Sequence, residues 1–162
     1  MSLSWAGAIL LTLLQTPATQ AVKPSSVHET AHLRVTTSGG EQAEAGKRVT
    51  LKIDVAPKPK MHVYAPGQPD YIVVSVALDP DPAFTAAAPK FPPPEKLFFA
   101  PLNEEQLVYS HPFQITQNVA LTRPAAGKAS VTIKGTLRYQ ACDDVVCFLP
   151  TKVPVEWTVK IQ

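Results

Sequence analysis

Hydrophobic and polar residues alternate along most of the chain downstream of residue 21. In the segment 49–55, VTLKIDV, an apolar residue occupies every second position. Successive side chains of a β-strand point to opposite faces of a sheet, so this period of two predicts a strand with one buried face. The same pattern recurs in the segments 28–37, 71–78, 113–121, 131–141 and 153–161.

Turn-forming residues separate these segments, at 38–40, 57–59, 65–67, 79–82 and 125–127. The chain also contains 17 prolines against 7 glycines. Proline disrupts helix interiors but is tolerated in turns and extended connections, which favours strands over helices. Six or seven strands joined by short turns predict an all-β fold, an immunoglobulin-like antiparallel β-sandwich.

The region 89–103, PKFPPPEKLFFAPLN, interrupts the alternation and contains five prolines. We expect it to be an irregular loop that exposes Phe98 and Phe99. A long ordered loop that presents adjacent aromatic side chains is more often functional than idle.

The first 21 residues have the features of a signal peptide. An apolar run of ten residues, 5–14, precedes small and polar residues, with Ala18 and Ala21 as candidate cleavage positions. Such a run is too short to cross a bilayer as a helix. We therefore expect export, with a single mature domain over 22–162 and no membrane span in it. The formal charge of +2 and the absence of a basic run argue against nucleic acid as a partner.

The two cysteines of the chain lie close together in the segment 137–150, LRYQACDDVVCFLP. Cys142 and Cys147 flank a four-residue connection between two alternating segments, which predicts a β-hairpin. Opposed residues of paired strands have Cα atoms ~4.5–5.5 Å apart, a separation that a disulfide tolerates. We expect the disulfide to form in an exported protein.

Loop length alone does not decide whether this disulfide is a structural clamp or a redox centre. Closing a loop of about six residues removes only ~2 kcal/mol of unfolded-state entropy, so the bond is a weak clamp. The adjacent carboxylates of Asp143 and Asp144 disfavour a neighbouring thiolate. We therefore expect a passive exchange partner rather than a strong oxidant.

The segments YQACDDVVCFLP and KMHVYAPG resemble the N-terminal periplasmic domain of the thiol:disulfide interchange protein DsbD, and the likeness extends over about residues 27–162. The resemblance implies an immunoglobulin-like fold whose two cysteines pass reducing equivalents between proteins. It implies that partners engage Cys147 and that Cys142 resolves the mixed disulfide. It also implies an aromatic cap, for which Phe98 and Phe99 are the nearest candidates by position, and a pocket lined by Tyr64 and Tyr139. Further supporting candidates, beside the cysteines in the chain, are Asp143, Asp144 and Phe148.

The function implied by this resemblance is thiol–disulfide exchange in the periplasm, a protein-disulfide reductase activity without metal or organic cofactor. The expected partners are thioredoxin-fold donors and oxidised periplasmic proteins. The chain departs from the family in spacing its cysteines by four residues rather than five. It also shows no membrane-embedded or thioredoxin domain, so we expect a separate protein to supply electrons. Glu104 and Glu105 are further candidates for tuning the thiols.

Two alternatives remain open at this point. The domain could be a non-catalytic binding module in which the disulfide is a clamp. The segment HETAH, from His28 to His32, matches a zinc-protease motif, but the motif needs a helix and this segment has a strand pattern. His62, near Met61 and Tyr64, could suggest copper, although a packed turn is the simpler interpretation.

Overall fold

The computed structural model describes residues 26–162, and the expected signal peptide at 1–21 lies outside the described residues. Within the described range, helical structure is limited to two short 3-10 turns, Ala100–Leu102 and Arg123–Ala125. The strands are β1 (Ser26–Glu29), β2 (Leu33–Ser38), β3 (Gln42–Ala43), β4 (Arg48–Pro57), β5 (His62–Tyr64), β6 (Ser75–Leu78), β7 (Phe84–Ala86), β8 (Glu95–Phe99), β9 (Glu104–Tyr109), β10 (Phe113–Leu121), β11 (Ser130–Tyr139), β12 (Ala141–Cys142) and β13 (Thr151–Ile161).

Two sheets form the body of a β-sandwich. The first has the strand order β1-β2-β4-β10-β7, and the second has the order β3-β13-β11-β6. Every pairing in them is antiparallel except that of β3 with β13. The long strands alternate between buried and exposed residues, as the period of two predicts. The all-β, immunoglobulin-like fold class is thereby confirmed.

The core lies between the inner faces of these two sheets. Trp157 of β13 is 1% exposed, and its indole Nε1 donates to the backbone oxygen of Ser38 in the facing sheet at 3.0 Å. Burying an indole without a partner for its N–H would be costly, so this bond fixes how the two sheets face each other. Strands β11 and β6 approach each other closely at Gly135, where an added Cβ would lie 2.6 Å from the backbone oxygen of Ala77. Only glycine fits this position without a shift of the backbone.

A third, smaller sheet has the order β12-β5-β9-β8. Strand β5 follows β4 along the chain and β12 follows β11, so this sheet extends from both halves of the sandwich. A separate small core of Tyr64, Val108 and Cys142 belongs to it. The cysteine region is therefore attached to the rigid sandwich through two of its longest strands.

Three of the predicted segments differ from the observed structure. The segment 28–37 is divided into β1 and β2 by a bend in which the Thr30 hydroxyl accepts from the backbone N–H of Leu33 at 2.9 Å. Only Ser75–Leu78 of the segment 71–78 is a strand. The prediction that 89–103 is one irregular loop was wrong, because 95–99 forms β8 and pairs with β9. Its prolines lie before and after that strand, where they interrupt no ladder bond.

Candidate functional site at the Cys142–Cys147 disulfide

The two cysteines form the disulfide that the sequence predicts. Their Sγ atoms are 2.02 Å apart and their Cα atoms 4.0 Å apart. Cys142 ends β12, and Cys147 lies opposite it in an isolated antiparallel bridge. The backbone N–H of Phe148 donates to the oxygen of Ala141 at 2.8 Å, which holds the returning chain against β12. The bond therefore closes a tight hairpin.

The two halves of the disulfide differ in exposure. Cys142 is 1% exposed, whereas Cys147 is exposed. Thiol–disulfide exchange requires an incoming thiolate to approach one particular sulfur. In this structure Cys147 is the half of the bond that another molecule can approach.

The hairpin loop is organised by the side chain of Asp143. Its Oδ1 accepts from the backbone N–H groups of Val145 at 2.8 Å and Val146 at 2.7 Å, and its own N–H donates to the oxygen of Val146 at 3.0 Å. These backbone hydrogen bonds lower the pKa of Asp143. The neighbouring Asp144 is exposed. The Asp143 carboxylate thus supports the loop in addition to placing charge near the sulfurs.

Tyr64 of β5 contacts the exposed cysteine. Its hydroxyl lies 3.7 Å from Sγ of Cys147, within hydrogen-bond distance for sulfur. Burial, followed by the nearby Tyr71 and Glu104, raises the pKa of Tyr64 to about 12. The hydroxyl therefore stays protonated at neutral pH and can donate to a thiolate.

A polar network lies behind Tyr64. The ring of Tyr71 packs on that of Tyr64 with centroids 4.1 Å apart. The Tyr71 hydroxyl donates to Glu104 at 3.1 Å and accepts from Nε2 of Gln106 at 3.1 Å, and Nε2 of Gln68 donates to Glu104 at 3.1 Å. No signal in the sequence marks Tyr71, Gln68 or Gln106, because nothing in it indicates the pairing of β5 with β9.

A cleft of about 140 Å³ adjoins the disulfide. Besides both cysteines, its walls include His62, Tyr64, Tyr71 and, from the β8–β9 hairpin, Phe99 and Leu102. Aromatic and aliphatic side chains thus limit the access of water to the sulfurs on one side.

The other predicted site residues lie as follows. Phe98 is 62% exposed and, unlike Phe99, does not line the cleft. Phe148 stacks on His32 with ring centroids 4.4 Å apart and packs against the main core. Glu105 forms an exposed ion pair with Lys96 at 2.8 Å.

The predicted position of Tyr139 was wrong. Its side chain is fully buried in the main core, and its hydroxyl hydrogen-bonds the hydroxyl of Thr30 at 2.8 Å. Tyr139 lies on the inward face of β11, which pairs with β13 in the main sandwich. The next strand, β12, pairs instead with β5 of the small sheet. This change separates Tyr139 from the cleft although only two residues separate it from Cys142.

The structure adds His62 to the site. In the pairing of β5 with β12, His62 lies directly opposite Cys142. It is 5% exposed, and its Nε2 is buried with no hydrogen-bond partner among the described residues. The sequence interpretation of His62 as part of a packed turn missed this neighbour, because the register of two short strands is not visible in the sequence.

The zinc-protease motif does not form a helix. His28 and Glu29 lie in β1, and His32 follows in a bend before β2. Glu29 instead forms ion pairs with Arg34 at 3.6 Å and Lys58 at 3.8 Å. Across residues 26–162 no three metal-ligating side chains are grouped. The geometry that the motif requires is therefore missing from this segment.

Apolar side chains are exposed around the disulfide. Leu102, Val145 and Val146 line the cleft and are 61%, 83% and 50% exposed. Leu149, which follows Cys147 by two residues in the chain, is 86% exposed. We call Leu102, Val145, Val146 and Leu149 the apolar rim. Exposed apolar groups gathered at one place are typical of a surface that contacts another protein.

The fold and the site together define a class: an immunoglobulin-like β-sandwich with a disulfide on a surface hairpin. The family described as "Thiol:disulfide interchange protein DsbD, N-terminal" matches residues 17–157. The chain belongs to this family, as its resemblance predicted. No curated protein matches the sequence.

One solved structure supports the fold. The N-terminal periplasmic domain of ScsB from Proteus mirabilis aligns with a TM-score of 0.59 at 11% identity, over 84% of this chain and 51% of that chain. This chain thus spans about half the length of that structure. The GAE domains of yeast GGA1 and of GGA2p from Saccharomyces cerevisiae align with TM-scores of 0.47 and 0.46, at 10% and 8% identity, over 82% and 86% of this chain and 98% and 97% of theirs.

In residues 26–162, no helix has the length and apolar character needed to cross a membrane.

Proposed function

We propose that this domain transfers reducing equivalents between a thioredoxin-fold donor and oxidised periplasmic proteins by exchange at the Cys142–Cys147 disulfide. The observation that carries the proposal is the unequal burial of the two cysteines, with Cys147 exposed and Cys142 buried. A bond that serves only as a clamp gains nothing from exposing one sulfur to incoming thiols. The membership of the family supports the same chemistry.

The reaction proceeds through two displacements at sulfur. A thiolate of the reduced donor attacks Sγ of Cys147, the Cys142–Cys147 bond breaks, and the Cys142 sulfur leaves with the electron pair and takes up a proton. The second thiolate of the donor then attacks the donor sulfur of the mixed disulfide and releases the Cys147 thiolate. Two electrons have passed to the domain, which is now a dithiol, and the donor has become a disulfide.

The dithiol reduces an acceptor by the reverse order of steps. Cys147 attacks the acceptor disulfide and forms a mixed disulfide with it, and one acceptor sulfur leaves as a thiol. Cys142 then attacks Sγ of Cys147, which releases the second acceptor sulfur and restores the internal disulfide. No metal or organic cofactor takes part in either half.

The apolar rim supports a protein rather than a small thiol as the partner. It places exposed aliphatic surface beside the reacting sulfur, and such patches are typical of surfaces that contact another protein. Tyr64 supports Cys147 as the reacting residue, because its hydroxyl is placed to donate to the Cys147 thiolate. We further propose that the chain is exported to the periplasm by the segment 1–21 and that residues 22–162 are the mature domain.

Trapping of mixed disulfides tests the proposal. Cys142→Ala leaves Cys147 free, and we expect this variant to form covalent adducts with thioredoxin-fold proteins that dithiothreitol releases. Cys147→Ala is the matched control, and its buried Cys142 should form far fewer. If Cys142→Ala forms no adducts and the Cys142–Cys147 disulfide of the wild type has a reduction potential below about −300 mV, the domain is instead a binding module with a structural disulfide.

A further inference from the structure

The buried position of Cys142 creates a proton-transfer requirement. In the step that releases a reduced acceptor, the Cys142 thiol must become a thiolate before it attacks Cys147. At 1% exposure, Cys142 has almost no contact with solvent to which it could lose that proton. Burial in apolar surroundings also disfavours the thiolate. A nearby group that accepts the proton would therefore accelerate this step.

His62 occupies a position from which its side chain can reach Cys142. The two residues are directly opposed in the β5–β12 pairing, and such residues project from the same face with Cβ atoms about 4.5–5.5 Å apart. Both side chains line the cleft beside the disulfide. The imidazole is further fixed by an edge-on contact with Tyr64, with ring centroids 5.7 Å apart.

The imidazole also has a free buried nitrogen. Nε2 of His62 is buried and has no hydrogen-bond partner among the described residues. Leaving a buried polar atom unpaired costs about 1–3 kcal/mol, so it calls for an explanation. A role as proton acceptor during exchange is such an explanation.

The other titratable side chains that line the cleft are poor proton acceptors near neutral pH. Tyr64 and Tyr71 have raised pKa values and so remain protonated. Asp143 accepts two backbone N–H groups through Oδ1, and its lowered pKa makes it a weak base. His62 is the remaining candidate among the described residues of the cleft.

We propose that His62 is the general base that takes the proton from Cys142, an assignment that rests on the proposed exchange function. Nε2 accepts the thiol proton, and the Cys142 thiolate attacks Sγ of Cys147. The bond between Cys147 and the acceptor sulfur breaks, and that sulfur leaves with the electron pair and takes a proton from the imidazolium or from water. In the opposite direction, the imidazolium returns the proton to the departing Cys142 sulfur.

The charges around His62 suit this role. Burial lowers its pKa, so that the imidazole is neutral and able to accept a proton near pH 7. The nearby carboxylates of Asp144 and Asp143 act in the opposite direction and stabilise the imidazolium once it forms. Tyr64, Tyr71, Cys142 and Cys147 are the other titratable groups of the cleft beside it.

An aromatic disulfide, dithiobis(nitrobenzoate), separates the two steps without a protein partner. With the reduced domain and one equivalent of reagent, attack by Cys147 releases a first coloured thiolate, and attack by Cys142 on the resulting mixed disulfide releases a second. We expect His62→Gln to slow the second release about 10- to 100-fold near pH 7 while the first keeps its wild-type rate. The wild-type second phase should be flat with pH above neutrality, whereas the variant's should rise with pH.

Three controls make the result decisive. His111→Gln makes the same substitution at an exposed histidine that does not line the cleft, and should leave both phases unchanged. Cys142→Ala should abolish the second phase and so define its amplitude. Near-ultraviolet circular dichroism and an intact first phase establish that His62→Gln is folded, and His62→Asn provides a second variant.

A second phase of His62→Gln within twofold of wild type, with the same pH profile, would overturn the assignment. Equal slowing of both phases would also overturn it, because it would indicate a structural role only. These outcomes are independent of the proposed function, since they need no physiological partner. Failure to trap partners through Cys147 would overturn that function while leaving the two chemical phases intact.

Discussion

The hydroxyl of Tyr64 and Sγ of Cys147 lie 3.7 Å apart although the two residues are 83 positions apart in the chain. The contact joins the rigid β5 strand to the exposed half of the disulfide. Tyr64 is 2% exposed and its ring packs at a tilt on that of Tyr71, so the hydroxyl is held in place. When the disulfide is reduced, a donor to the exposed thiolate is thus already positioned.

Tyr64→Phe should lower the fraction of Cys147 that is present as thiolate near pH 7, because it removes a hydrogen-bond donor to the charged form. The variant removes the hydroxyl and keeps the ring, and a hydrogen bond to a charged group contributes about 1.5–3 kcal/mol at most. In a Cys142→Ala background, we expect alkylation of Cys147 by iodoacetamide near pH 7 to slow roughly tenfold.

Tyr109→Phe is the matched control for that measurement. The Tyr109 hydroxyl donates to the backbone oxygen of Pro92 at 2.7 Å, and Tyr109 does not line the cleft. Loss of this hydrogen bond should lower the free energy of unfolding without changing the rate at which iodoacetamide alkylates Cys147. Equal alkylation rates in Tyr64→Phe and the parent would contradict a role for the Tyr64 hydroxyl.

The disulfide and the long strands could be predicted from the sequence because their causes are local. Alternation over ten residues identifies a strand such as β4 by itself, and six residues suffice to bring Cys142 against Cys147. The immunoglobulin-like class follows from the number and spacing of such strands.

The environment of the disulfide could not be predicted in the same way. Strands β5, β8 and β12 contain two to five residues, too few for a period to be recognised. Their registers are set by long-range pairing, and it is that pairing that brings His62 opposite Cys142 and leaves Tyr139 in the main core. Propensity and spacing along the chain carry no information about such contacts.

Phe99→Ala should make the disulfide easier to reduce by small thiols. Phe99 lines the cleft beside the sulfurs, so truncating it widens the approach. We expect the rate of reduction by dithiothreitol to rise roughly threefold or more.

Phe98→Ala is the control on the adjacent residue. Phe98 is 62% exposed and does not line the cleft, so its removal should leave the dithiothreitol rate unchanged. Identical dithiothreitol rates in Phe99→Ala and wild type would contradict a shielding role for Phe99.

Asp143→Ala should loosen the hairpin loop. The carboxylate accepts from the N–H groups of Val145 and Val146, and alanine offers no acceptor. We expect hydrogen exchange at those two amides to accelerate roughly five- to tenfold. Asp143→Asn retains an acceptor oxygen and should preserve most of the protection, as should Asp144→Ala. Unchanged exchange in Asp143→Ala would show that the backbone alone holds the loop.

The stability of the oxidised domain should depend on pH through His62. Burial lowers the pKa of His62 in the folded state below the unfolded value of about 6.5. Between these two values the unfolded chain binds more protons than the folded one, so the free energy of unfolding rises with pH across that window. Below the lowered pKa both states are protonated, and the contribution of His62 no longer changes.

His62→Gln should flatten this part of the pH profile. Urea unfolding of the oxidised wild type and variant, followed from about pH 4.5 to pH 7.5, would measure the difference. The lowered pKa of Asp143 gives a dependence of the same sign, but at lower pH, where stability is lost as its carboxylate is protonated. The two contributions therefore separate along the pH axis. If the wild-type stability curve stays parallel to that of His62→Gln at every pH, the buried imidazole titrates as it does in the unfolded chain. The argument that His62 is neutral near pH 7, and so able to act as a base, would then be contradicted.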